Sequence, residues 1–148
     1  MATVHDVVAF ILRRHGPTTA MKLQKLLYYS QAWSLVWDGK PLFKARIEAW
    51  AHGPVIREVW RYHRGVYMLR EWKHSNADPK ALTDSEADTV NSVLAFYGDK
   101  SPQWLSDLTH MEAPWQEARR GTAPGELGGK EISLASMEAY YSSIAPAR

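Results

Sequence analysis

Between Thr18 and Gly39 the chain carries a segment whose apolar side chains, from Leu23 through Leu26, Leu27, Tyr28, Tyr29 and Ala32 to Trp33 and Trp37, cover nearly the whole circumference of a helix. A helix that is apolar all round is surrounded by protein. With 148 residues in total, the remainder of the chain must wrap this segment, which predicts a mainly α, compact single-domain helical fold around a central buried helix. Thr18 or Thr19 starts the helix, which runs to about Asp38, and Gly39 ends it. Its polar residues scatter instead of sharing a face. Lys22 and Lys25 fall in the first turns, where the helix dipole disfavours cations by up to about 1 kcal/mol. Two readings follow: the lysines pair with a carboxylate, or their stems cover apolar surface while the heads reach water.

The other elements follow from shorter signals. Thr3 with Asp6, and Thr83 with Glu86, form capping boxes ahead of apolar stripes that stop at Gly16 and Gly98. Phe43–Trp50 alternates apolar and polar residues, as a half-buried strand does. Val66–Trp72 is its expected partner, which gives a short two-stranded β element near residues 43–50 and 66–72. His52-Gly53-Pro54 reads as a turn, with Pro54 at the first position of a helix that Gly65 ends. In that helix Arg57, Arg61 and Arg64 recur along one face. Residues 74–82 read as a loop, Ser101-Pro102 starts a short helix, and Gln116–Arg120 is a further helical turn. Thr122–Lys130, with three Gly and one Pro, is expected to be a mobile loop. A last helix over 134–144 turns Met137, Tyr140, Tyr141 and Ile144 inward.

Composition excludes several classes. A hydrophobic fraction of 45% with 23% charged residues is that of a folded globule. No apolar run approaches the roughly 20 residues of a membrane span, and Arg13-Arg14 follows the first apolar stretch where a signal peptide has its basic residues in front. There is no cysteine, so disulfides and thiolate metal sites are absent, which suits a cytoplasmic protein. The net charge of +2 hides a polarity: residues 1–74 carry +7 and residues 75–148 carry −5. Either such a field steers an oppositely charged partner to one half, or the two halves attract each other inside the fold.

The six histidines stand at 5, 15, 52, 63, 74 and 110, with no pair at metal-ligand spacing, and no phosphate-binding glycine loop or nucleophile elbow occurs. No metal and no cofactor are therefore expected, and no enzyme. A small hydrolase would have to assemble His52, His110 and scattered carboxylates in space. The arginine stripe admits a DNA-binding transcriptional regulator with a helix in the major groove, although Trp60 and Tyr62 beside it fit a base-reading helix poorly.

One ordered set of residues resembles a known family. Lys22-Leu23-Gln24-Lys25-Leu26-Leu27-Tyr28-Tyr29, Gln31-Ala32, Pro41-Leu42-Phe43, Ile47-Glu48-Ala49-Trp50 and His52-Gly53-Pro54-Val55 are followed by Thr109-His110, Pro114-Trp115 and Ala118-Arg119. Together they resemble the Panacea domain of SocA-like and phage-associated antitoxins, over about 18–120. The resemblance implies a mainly helical domain that neutralises the cognate toxin of a two-gene toxin–antitoxin module by direct binding. SocA-like relatives also deliver the toxin to a bacterial AAA+ protease. The candidate partner-binding residues are Lys22, Gln24, Lys25, His52, Arg57, Arg61 and Arg64. Tyr28, Tyr29, Trp50, Gly53, Pro54, His110, Pro114 and Trp115 are the motif residues expected to serve the fold.

Overall fold

A computed structural model describes residues 2–145. The fold is mainly α, and α2 (Ala20–Trp37) is its axis: α1 (Val4–His15), α4 (Asp84–Tyr97), α5 (Pro102–His110) and α7 (Leu134–Ile144) all pack on it. Thr19 caps α2 by accepting from the Lys22 N–H, and fourteen of the eighteen residues of α2 are buried, as its all-round apolar pattern requires. Both capping boxes form, at Thr3 and at Thr83. The apolar stripes they introduce, Val7, Val8 and Ile11 on α1 and Val90 and Val93 on α4, are fully buried. No helix among the described residues is long and apolar enough to cross a membrane.

The β elements differ from the expected pairing. β2 (Glu48–Trp50) pairs antiparallel with β3 (Gly53–Val55), while β4 (Met68–Leu69) pairs with β1 (Thr18–Thr19) just before α2. The alternation at Phe43–Ile47 is real, with Phe43 and Ile47 buried. The backbone there is occupied otherwise: the Gln31 amide accepts from the N–H groups of Leu42 and Phe43 and donates to the Phe43 carbonyl. Pro54 lies in β3 opposite Ala49 and does not start a helix. Lacking an N–H, proline is tolerated at such a position in a short hairpin, and α3 (Arg57–His63) begins three residues later.

The segment expected to be a mobile loop is laced to β2. Arg119, at the end of α6 (Ala113–Ala118), donates to the carbonyls of Ala123, Glu126 and Leu127 as well as Ala49. The Ala49 and Ala51 N–H groups reach the carbonyls of Lys130 and Leu127. On α7, Met137 and Tyr141 are buried as expected, whereas Ile144, the last residue of the helix, is half exposed.

Candidate functional site

Of the motif residues, Gln24, Lys25, His110, Trp115 and Arg119 converge on one object, the β2–β3 hairpin. Its turn is held by side chains from three helices. Arg119 donates to the Ala49 carbonyl at 3.1 Å, Trp115 Nε1 to Trp50 at 2.8 Å, and Ser106 Oγ to His52 at 2.7 Å. His110 places Nε2 2.8 Å from the Ala51 carbonyl and Nδ1 2.6 Å from the Ser106 carbonyl. From α2, Lys25 Nζ donates to the Pro54 carbonyl at 3.3 Å. Gln24 grips both polar groups of Ile56, accepting from its N–H at 2.8 Å and donating to its carbonyl at 3.3 Å. Carbonyls in so short a hairpin cannot all be paired across strands, and side chains supply the missing donors. Gly53 is required twice over. Its φ of +119° lies in the region that favours glycine, and a Cβ there would stand 2.6 Å from Lys25 Cε.

Beneath the hairpin lies a cavity of about 350 Å³ whose lining includes Gln24, Lys25, Trp50, His52, Trp60 and His63. Lys25 is 1% exposed, and burial depresses its ammonium from 10.5 to about 7, since a charge loses its hydration there. The Pro54 carbonyl is its one hydrogen-bond acceptor among the described residues, at a long distance. Neither expectation for this lysine holds: no described carboxylate pairs with it, and its head does not reach water. The apolar circumference of α2 is the reason, because any polar residue on that helix is enclosed with the rest.

Gln24 also settles the state of His63. With its oxygen committed to the Ile56 N–H, its Nε2 donates to His63 Nε2 at 2.9 Å, so that ring nitrogen must be an acceptor and the imidazole neutral. Burial depresses the His63 pKa, its own backbone opposes the shift, and the nearby Lys25 charge adds to it. Gln24 is therefore fully engaged inside the protein and not at a free margin.

Of the arginines, Arg57 lies 5.6 Å from the Trp50 ring centre and pairs with Glu48 at 3.5 Å, and Arg64 lies 5.7 Å from that of Trp60. Trp50 and Trp60 meet edge to face at 5.3 Å, so the two aromatic walls of the cavity each carry an arginine. Arg61 is exposed on α3 and His52 on the hairpin turn. Lys22 stands apart: it donates to the Gly98 carbonyl at 2.6 Å, where a cation complements the C-terminal end of α4. The structure thus brings together Gln24, Lys25, His52, Arg57 and Arg64, places Arg61 nearby on the same helix, and removes Lys22.

Tyr28 and Tyr29 belong to a second polar cluster that spacing did not reveal. Tyr29 and Tyr141 both donate to Glu112 Oε1 at 2.7 Å, Tyr28 and Tyr141 bond at 2.9 Å, and Trp33 Nε1 donates to the Tyr97 hydroxyl. Burial raises the Glu112 pKa, with the two tyrosine hydrogen bonds opposing the shift. Its members are 29 to 113 residues apart in the main links, so no local pattern announces it. Pro114 is buried in the first turn of α6 beside Glu112.

Residues 23–116 match the family model described as antitoxin SocA-like, Panacea domain. The matched span contains the hairpin and every clamp residue except Arg119. No curated protein and no solved structure matches the chain significantly.

Proposed function

The chain belongs to the SocA-like, Panacea-domain antitoxin family, and from that premise we propose that it neutralises a cognate protein toxin by direct binding, without catalysing a reaction. The family supports an antitoxin-like role and a protein partner. The binding face in this proposal consists of the hairpin, α3 and the first two turns of α2. One observation carries that face: the Lys25 amine is buried with a single long hydrogen bond, at a cavity walled by Trp50 and Trp60 and rimmed by Arg57 and Arg64. Tryptophan and arginine are enriched in the residues that dominate binding energy. An acidic side chain of the toxin entering this cavity gives the amine the partner it lacks, in a setting where water screens the pair little.

The arginines placed over tryptophan rings, with Arg57 also paired to Glu48, suit a protein surface better than the open reach that groove reading demands. In the finer form of the proposal the complex forms in the cytoplasm, and the bound toxin is handed to a AAA+ protease. Coexpression with the product of the neighbouring gene tests the reading. Growth arrest by that product, relieved by this chain, is expected; a harmless product, or arrest that persists, removes the antitoxin function. A toxin lifetime that this chain leaves unchanged would remove only the protease step. Because Arg57 also serves Glu48, the face is better tested with Arg61→Glu and Arg64→Glu together, which should weaken toxin binding by roughly tenfold or more in calorimetry. Unaltered affinity would move the interface elsewhere.

A further inference from the structure

A second cavity, of about 320 Å³, opens where the last turns of α2 meet α4, α5 and the end of α7. Trp33, Trp37, Phe96 and Tyr97 wall it, Leu108 adds apolar surface, and Glu112 lies at its base. Trp33 and Trp37 are stacked with ring centres 4.9 Å apart, and Phe96 meets Tyr97 edge to face at 4.7 Å. Phe96 is 58% exposed, whereas Glu112 is only 5% exposed.

The Glu112 carboxylate is used on one side only. Although it occupies the N-cap position of α6, it makes no capping bond there. Both tyrosine hydroxyls go to Oε1, and no described residue donates to Oε2. Oε2 is not among the enclosed side-chain atoms left without a partner, so it is the carboxylate oxygen open to a ligand, on a residue lining an aromatic cavity large enough for a small organic molecule.

We propose that this cavity binds an alkylammonium group, with the nitrogen on Glu112 Oε2 and the alkyl chain against the tryptophans and Phe96. The chemistry selects that class in three steps. Aromatic faces and a carboxylate both attract a cation and repel an anion. A neutral apolar ligand would cover Oε2 without offering it a donor. A guanidinium prefers both oxygens of a carboxylate in a fork, and Oε1 already accepts two hydroxyls; a compact ammonium needs only the remaining oxygen. Lys100, whose ammonium lies 5.7 Å from the Phe96 ring centre, is not among the cavity lining, so it does not occupy the site. This inference is independent of the antitoxin reading, since it concerns the opposite end of α2 from the Lys25 cavity.

The test titrates the full chain with n-butylammonium chloride and, as a neutral isostere, 1-butanol, by NMR at near-physiological salt. Saturable binding of butylammonium, roughly tenfold tighter than butanol, is expected. Glu112→Gln keeps an oxygen for the two tyrosines and removes the charge, and should lower butylammonium affinity by about tenfold while leaving butanol unchanged. Phe96→Ala, at an exposed position, guards against a folding defect in that variant and should weaken butylammonium binding several-fold. Equal affinities for the two probes, wild-type affinity in both variants, or no saturation up to about 100 mM would overturn the proposal. Where butylammonium binds, Nα-acetyl-lysine methylamide separates the sources: competition assigns a lysine of a protein partner, and failure to compete assigns a free amine.

Discussion

The two ends of α2 bury opposite charges beside cavities of similar size, about 350 Å³ at the N-terminal end and about 320 Å³ toward the C-terminal end, and satisfy them very differently. At the N-terminal end, Lys25 holds one long bond to a carbonyl. Toward the C-terminal end, Glu112 receives two short bonds from tyrosine hydroxyls. Burial moves both pKa values toward the neutral form, the amine down and the carboxyl up. For Glu112, hydrogen bonds to the charged form return part of that shift; Lys25 has no comparable help. The difference teaches that enclosure by α2 is common to both sites, while the cost of a buried charge depends on the donors or acceptors that reach it.

The largest effect expected from disturbing this contrast is at Gly53. Gly53→Ala adds a Cβ 2.6 Å from Lys25 Cε at a φ of +119°, and should cost about 4 kcal/mol in denaturant unfolding. Adding Lys25→Ala should recover the clash but not the backbone strain, so the double variant should be less unstable than additivity requires. Strict additivity would mean that the lysine and the hairpin are not in contact.

Lys25→Met comes next and has the opposite sign. Removing a buried, poorly partnered ammonium should stabilise the chain by ~3 kcal/mol near neutral pH. The pH dependence follows from the depressed amine: between its folded value of about 7 and its unfolded value of about 10.4, the unfolded chain holds a proton that the folded chain has released. Wild-type stability therefore rises with pH through that window, and the advantage of Lys25→Met shrinks. A constant gap between the two proteins from pH 7 to 10 would show that Lys25 is charged and satisfied. In the same comparison, loss of toxin affinity despite the higher stability is the expected signature of a residue kept for binding.

How much of this was legible depends on the range of the forces involved. The starts of α1, α2 and α4 were readable because Thr3, Thr19 and Thr83 act on N–H groups two or three residues away. The strand partners were not: strands of two or three residues have no period to detect, and Gln31 took over the backbone at Phe43 where a strand was expected. The enclosure of Lys25 is implied by the sequence pattern itself, since a helix apolar all round encloses its lysine too. The same holds for Gln24. Arg119 and His110 were recognisable as motif residues, but their role as clamps on hairpin carbonyls depends on the turn at residues 51–52 and could not be read from spacing. The Glu112 cluster joins α2, α4, α6 and α7, and only the folded chain brings them together.

The tyrosine side of the contrast is sharpened by Tyr141→Phe. It removes the hydroxyl that Glu112 and Tyr28 share while keeping the ring, and should destabilise by about 2 kcal/mol, the range for a hydrogen bond to a charged group. A negligible loss would mean that Glu112 is as poorly served as Lys25, and the two ends of α2 would no longer differ.

The smallest expected effect discriminates most finely. Glu112→Gln preserves an acceptor for Tyr29 and Tyr141, so its stability near neutral pH should lie within about 1 kcal/mol of wild type. Its sign depends on pH. Because the folded carboxyl has a raised pKa, the folded chain retains a proton that the unfolded chain has lost above its own value of about 4.3. The stabilisation from that proton is complete at lower pH and disappears as pH rises through the folded value. Wild type should thus lose ground to the glutamine variant as pH rises from about 4 and level off above the folded pKa, the reverse of the Lys25→Met comparison, in which wild type gains with pH. Urea unfolding of both variants across the pH range measures the two slopes together. Slopes of the same sign would mean that one of the two groups is not held toward its neutral form, and the pairing of the two cavities as opposite charges under the same enclosure would fail.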